Sequence, residues 1–122
     1  MSTRRNFITP KEPLYHITPM ENNRSIIKTG ISPHFSKHVE AVCWYCTEPR
    51  LAWAIAHVAN RHKIIPDGLL VFTAQPGEWY QKTKWDGIYV SNFVVKILKV
   101  RYASAVLEEI MSQFEIPPRR LT

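Results

Sequence analysis

The side chains best placed to do chemistry in this chain are one strand-borne imidazole, a pair of cysteines and a few scattered carboxylates. His16 lies inside the apolar pentapeptide Leu14-Tyr15-His16-Ile17-Thr18. Strand side chains alternate, so Leu14, His16 and Thr18 face one way and Tyr15 and Ile17 the other. An imidazole in that setting is either a satisfied half-core residue or a hydrogen-bonding group at a site. Cys43-Trp44-Tyr45-Cys46 stands just before the helix-start signal Thr47-Glu48-Pro49. A thiol at a helix start is acidified, and a CxxC there can run dithiol redox chemistry. Residues three apart on a continued strand point to opposite faces, however, and no βαβ lead-in precedes them, so buried structural thiols are the plainer expectation. His34, His38, Cys43 and Cys46 are four zinc-ligand types in a short span. Their spacing matches no strong finger pattern, and the two loop histidines suit solvent equally well. His57 and His62 are five apart on a helix, a rotation of about 140°, and diverge.

These groups need a scaffold, and the chain supplies one in short alternating segments. A polar lead-in with one apolar touch, Phe7-Ile8, precedes the strand at 14–18. Thr18-Pro19-Met20-Glu21 then has the form of an N-cap, a proline at the first helical position and a capping-box glutamate. The short helix that follows places Ile26 and Ile27 inward and stops at Gly30. Residues 31–40 have no period and form a loop; 41–46 is an aromatic-rich buried strand. The next helix carries Leu51, Ile55, Val58 and His62 along one face and stops before Ile64-Ile65-Pro66. Asp67-Gly68 turns the chain into a buried strand at 69–74. Residues 75–86 form a polar excursion whose Trp79, Tyr80 and Trp85 are either core anchors or a base-stacking platform. Strands at 87–90 and 93–100 follow, with Ser91-Asn92 as a bulge or turn. An amphipathic helix built on Ala103, Val106, Leu107, Ile110, Met111 and Phe114 ends at Pro117-Pro118. The order β-α-loop-β-α-β-loop-β-β-α predicts one α+β domain over 1–122, with its core at about 14–116.

The 122 residues suit a single domain, and 45% hydrophobic with 21% charged residues is a globular composition. No apolar run approaches the ~20 residues of a membrane span, and no signal-type hydrophobic stretch follows the first residues. A soluble, cytoplasmic protein with no membrane partner is therefore expected, and two cysteines fit a reducing compartment. The net charge of +6 gathers near the ends (Arg4, Arg5, Lys11; Arg119, Arg120) and at Lys82 and Lys84. It suits a polyanionic partner or a plain solvated surface. The oligomeric state is not legible.

The His16 strand, a short helix and then Lys28-Thr29-Gly30-Ile31 together resemble the opening of the ADP-ribosyltransferase fold. Residues 42–47 followed by Ala52, and 69–74 followed by Gln75-Pro76-Gly77-Glu78, are similar to its next elements, so the resemblance covers about residues 14–100. It implies split antiparallel sheets with flanking helices, and NAD as the substrate that supplies ADP-ribose to a protein or nucleic-acid acceptor. His16 would hold the ribose and nicotinamide part of NAD, and Trp44, which fits the spacing better, or Tyr45, the family's usual residue type, would stack on the nicotinamide, since both rings offer a π face to a cationic pyridinium. Thr18, Ser32 and Thr47 would complete the NAD contacts. The family's late-strand glutamate has no counterpart between 87 and 100. Asp86 is the nearest carboxylate, with Glu78 the second choice, so the implied catalytic set is His16, Tyr45 and Asp86. Residues 37–40, Lys-His-Val-Glu, also resemble a segment of the RNA 2′-phosphotransferases, which use NAD on RNA. A non-catalytic binding or interaction module on the same fold is the alternative from another class.

Overall fold

The computed structural model describes residues 7–32 and 43–114. His34, His38, the 37–40 segment, residues 41 and 42, the terminal arginines and Pro117-Pro118 lie outside the described residues, as does the side chain of Phe114. The elements in chain order are β1 (Phe7–Ile8), β2 (Tyr15–Pro19), α1 (Asn23–Thr29), β3 (Cys43–Cys46), α2 (Leu51–His62), β4 (Leu69–Ala74), β5 (Tyr80–Lys82), β6 (Ile88–Ser91), β7 (Ile97–Tyr102) and α3 (Ala103–Phe114). The strands form one antiparallel sheet in the order β1-β5-β6-β3-β2-β4-β7, which makes this an α+β domain.

The strand that carries His16 is therefore interior to the sheet. On one side β2 pairs with β4 along its whole length, from Tyr15↔Thr73 to Pro19↔Leu69. On the other it meets β3 at Tyr15↔Cys46 alone among the described residues. The split sheets that the resemblance implies are not found: the seven strands form one continuous sheet, in which the joint between β2 and β3 is the thinnest, with the fewest paired residues among the described ones.

Alternation distributes the apolar side chains over two cores. Tyr15 and Ile17 join Cys46, Leu69, Val71 and Ile88 on the face covered by α2 and α3, where Leu51, Ile55, Ala103 and Val106 are buried. Leu14, Cys43, Tyr45, Leu70, Phe72 and Tyr80 occupy the other face, under Ile26 of α1 and under Ile31 and Val95. All six residues of β4 are buried because that strand has neighbours on both edges and a core on both faces. Complete burial of each of its leucine, valine and phenylalanine side chains stabilises the fold by about 1.5–3 kcal/mol.

Several local expectations are corrected. Thr18 does not cap a helix: its hydroxyl accepts from Asn22 Nδ2 at 2.7 Å, and no side chain caps the 3₁₀ turn Met20–Asn22 that leads into α1. Pro19 does not open a helix either. It closes β2 opposite Leu69, its extended backbone (φ −57°, ψ 146°) being as compatible with proline as a first helical turn. Ile27 points outward. The polar excursion contains β5, and the lead-in contains β1; both are held by cross-strand bonds that short polar sequences do not announce. Residues 93–96 are not part of the last strand. Val95 instead bridges Ile31, with N–O distances of 2.7 and 3.0 Å, and β7 starts at Ile97. Gly30 makes that bridge possible. Its φ is 94°, and a Cβ there would lie 2.8 Å from the Val95 carbonyl oxygen.

Candidate functional site

His16 sits at the thin joint of the sheet, half-buried, with Nδ1 2.8 Å from the Trp44 carbonyl oxygen. A carbonyl can only accept, so Nδ1 carries the proton and a neutral ring keeps an acceptor lone pair on Nε2. Burial pushes the imidazole pKa below its ordinary 6.5, against the Trp44 carbonyl, which raises it. The ring is therefore uncharged at neutral pH. The bond adds a side-chain link between β2 and β3, which pair at Tyr15↔Cys46.

Tyr45 lies beside it, with ring centroids 5.6 Å apart and planes at 47°. Register extends this pair into a row across one face. Val100 is opposite Phe72, Phe72 opposite His16, Tyr45 opposite Tyr89, and Tyr89 opposite Lys82. The centre of the row is closed: Phe72 and Tyr45 are 0% and 1% exposed, and Tyr80 packs edge-to-face with Tyr45, ring centroids 5.0 Å apart. The Ser91 hydroxyl donates to the Tyr45 hydroxyl at 3.4 Å, while burial drives the Tyr45 pKa far up. Tyr45 thus acts first as the wall that holds the imidazole in place.

The remaining sequence candidates divide between this face and its surroundings. Trp44 points to the opposite side, packs against the α2 core and contacts the ring of Trp85 at 6.1 Å. Of the two aromatics left open by the sequence, Tyr45 is the one that adjoins His16. Thr18 shares the His16 face two residues on and is buried. Ser32 follows the Ile31 bridge and lines a groove of about 680 Å³ along α1, with Arg24, Ser25, Lys28, Thr29 and Glu21. That groove brings two cations and three hydroxyls together; the sequence named Ser32 as an NAD contact and Lys28 and Thr29 only as part of the turn at Gly30. Thr47 is buried at the start of α2, where its N–H donates to the Gly87 carbonyl at 3.0 Å.

Asp86 is exposed, but its backbone is fixed: Arg50 Nε donates to the Asp86 carbonyl at 2.8 Å. Gly87 follows with φ 77°, and a Cβ there would sit 2.7 Å from Thr47 Oγ1. The hydroxyl pKa of Tyr89 is raised by burial, then by Glu12 and by Asp86. No charged side chain contributes to the titration of His16, so the described residues set no carboxylate against the imidazole. Glu78 is exposed in the turn between β4 and β5; with burial it pushes Tyr80 up to about 12.

The cysteines take no part in this arrangement. Cys43 and Cys46 are free, buried and in different cores, and burial pushes their thiols up to about 11 and about 12. Among the described residues no group of three His, Cys, Asp or Glu side chains could hold a metal ion. Nor is any described helix long and apolar enough to cross a membrane. Sequence reasoning missed Arg50, Phe72 and Tyr89. Alternation from Tyr45 and His16 fixes which residues face the same way, but only the register between distant strands shows that they are neighbours.

A neutral imidazole protonated on Nδ1 can accept a hydrogen bond at Nε2 from a hydroxyl of a sugar or alcohol. No family model, curated protein or solved structure matches this chain.

Proposed function

We propose that this chain binds NAD in the manner of the ADP-ribosyltransferases it resembles, with His16 as the central contact. The observation that carries the reading is the tautomer of His16, fixed by the Trp44 carbonyl at 2.8 Å, beside the thin joint of the sheet. Its Nε2 would accept a hydrogen bond from a ribose hydroxyl, with Tyr45 holding the ring in place. Arg24 and Lys28 in the α1 groove supply charge for the diphosphate. In the transferase reaction the C–N bond to nicotinamide breaks, and the bonding pair leaves with the neutral base. The ribosyl cation that develops is stabilised by a carboxylate, for which Asp86 is the candidate, and a nucleophile of a protein or nucleic-acid acceptor closes on it. Positioning and charge stabilisation would supply most of the acceleration, because nicotinamide already leaves readily.

The exposure of Asp86 and the absence of a carboxylate acting on His16 favour a second reading, a non-catalytic NAD-binding or interaction module on this scaffold. The RNA 2′-phosphotransferase reading rests on residues 37–40 and gains nothing from the described residues.

NAD at ten times its dissociation constant should stabilise the native state by about 1.4 kcal/mol, or roughly 5 °C in melting temperature. His16→Ala should abolish the shift. No shift of the wild type in millimolar NAD refutes the proposal. Where the shift occurs, nicotinamide release that is lost in Asp86→Asn identifies an enzyme, and no release from the wild type identifies the binding module.

A further inference from the structure

Three of the four tryptophans are exposed: Trp53 at 55%, Trp79 at 60% and Trp85 at 52%. A tryptophan alone on a surface needs no explanation, but two of these stand in an ordered sequence of rings and cations. Trp53 stacks on His57 along the outer side of α2, with centroids 5.1 Å apart and planes at 13°. Arg61 is one further turn along the same side, since residues four apart share a helix face. At the other end, Lys84 Nζ lies 4.8 Å from the Trp85 ring. Arg50 links the two parts: it adjoins the start of α2 and binds the Asp86 carbonyl through Nε, which leaves its terminal amino groups to other partners.

We propose that the stripe Lys84–Trp85–Arg50–Trp53–His57–Arg61 binds single-stranded nucleic acid. Bases stack on Trp85 and Trp53, and phosphates pair with Lys84, Arg50 and Arg61. Rings interleaved with cations are what such a strand requires, because every unpaired base has a free π face and every linkage a negative charge. The three cations outweigh the two carboxylates beside them in the chain, Glu48 before α2 and Asp86 before β6, and the chain as a whole carries +6. An acidic peptide would match the charge but leave the rings uncovered; a duplex would hide its base faces. The stripe lies on the α2 side of the sheet, opposite the face that His16 shares, so the proposal stands apart from NAD binding.

The test is fluorescence anisotropy of a labelled oligothymidylate of about 12 nucleotides at low salt and without NAD. The wild type should bind, more weakly as salt rises. Trp53→Ala should weaken binding roughly 5- to 100-fold while Trp53→Phe retains most of it. Arg61→Glu should weaken binding and reduce the salt dependence. Trp79→Ala, equally exposed but at the other end of β5, should change nothing. Circular dichroism checks that each variant is folded, and Trp53→Phe, which keeps a ring, separates lost stacking from lost structure. No binding at low salt overturns the proposal, as does equal affinity for a duplex of the same length. Equal losses in Trp53→Ala and Trp79→Ala overturn it too.

Discussion

His16→Asn separates what the imidazole does for the fold from what it does for a ligand. The amide nitrogen of asparagine reaches about where Nδ1 stands, so the variant keeps a donor for the Trp44 carbonyl. It loses both Nε2 and the ability to titrate. The folded-state pKa of His16 is lowered by burial, so below 6.5 the unfolded chain takes up a proton that the native ring resists. Native stability is therefore full above pH 6.5 and declines as pH falls below it, toward the folded-state value. One proton of difference amounts to at most about 1.4 kcal/mol for each pH unit. Urea unfolding of both proteins at pH 7.5, 6.5 and 5.5 isolates this site, because the other four histidines remain in both and cancel in the difference. At pH 7.5 the two should agree within about 1–2 kcal/mol, since the bond to Trp44 is kept and part of the ring packing against Tyr45 is lost. At pH 5.5 the wild type should have lost up to about 1.4 kcal/mol relative to the variant. NAD should stabilise the wild type and leave the variant's melting temperature unchanged. A wild-type-to-variant difference independent of pH would show that the imidazole is not held neutral as described. A variant that still responds to NAD would remove Nε2 from the binding site.

Two further predictions concern the scaffold. Gly30→Ala should destabilise the domain by about 2–4 kcal/mol in denaturant unfolding, from a disfavoured positive φ and the disturbed Ile31–Val95 bridge, whose carbonyl lies 2.8 Å from the new Cβ. A loss under 0.5 kcal/mol would mean that the bridge does not constrain the turn. Cys43 and Cys46 should resist Ellman's reagent at pH 8 in the native protein and react on unfolding, because both are buried and pushed up to about 11 and about 12. Rapid native labelling of either would contradict the packing of β3.

The α2 and α3 helices were legible because their apolar positions recur at helical spacing: Leu51 and Ile55, Ala103 and Val106 are buried as that spacing requires. The β4 run was legible for the opposite reason, as a stretch apolar at nearly every position, which suits a strand enclosed on both faces. Short elements failed this kind of inspection. In β5 only Tyr80 is buried, and Gln81 and Lys82 are strand residues because Val90 and Tyr89 stand opposite them. The same holds for Thr18 and Pro19, whose local signal favoured a helix start until pairing with β4 extended the strand by one residue.

Sequence alone determined which way the side chains of β2 point, and so that His16 and Thr18 share a face from which Tyr15 and Ile17 are excluded. That follows from alternation, a property of one strand. It also named Cys43 and Cys46 as residues on opposite faces. Only tertiary structure decided that Tyr45 rather than Trp44 stands next to His16. The same structure gave Nδ1 its proton through the Trp44 carbonyl and left Asp86 exposed, its backbone carbonyl bound by Arg50. Those outcomes depend on the register between strands distant in sequence, and a slip of one residue would have exchanged Tyr45 for Trp44.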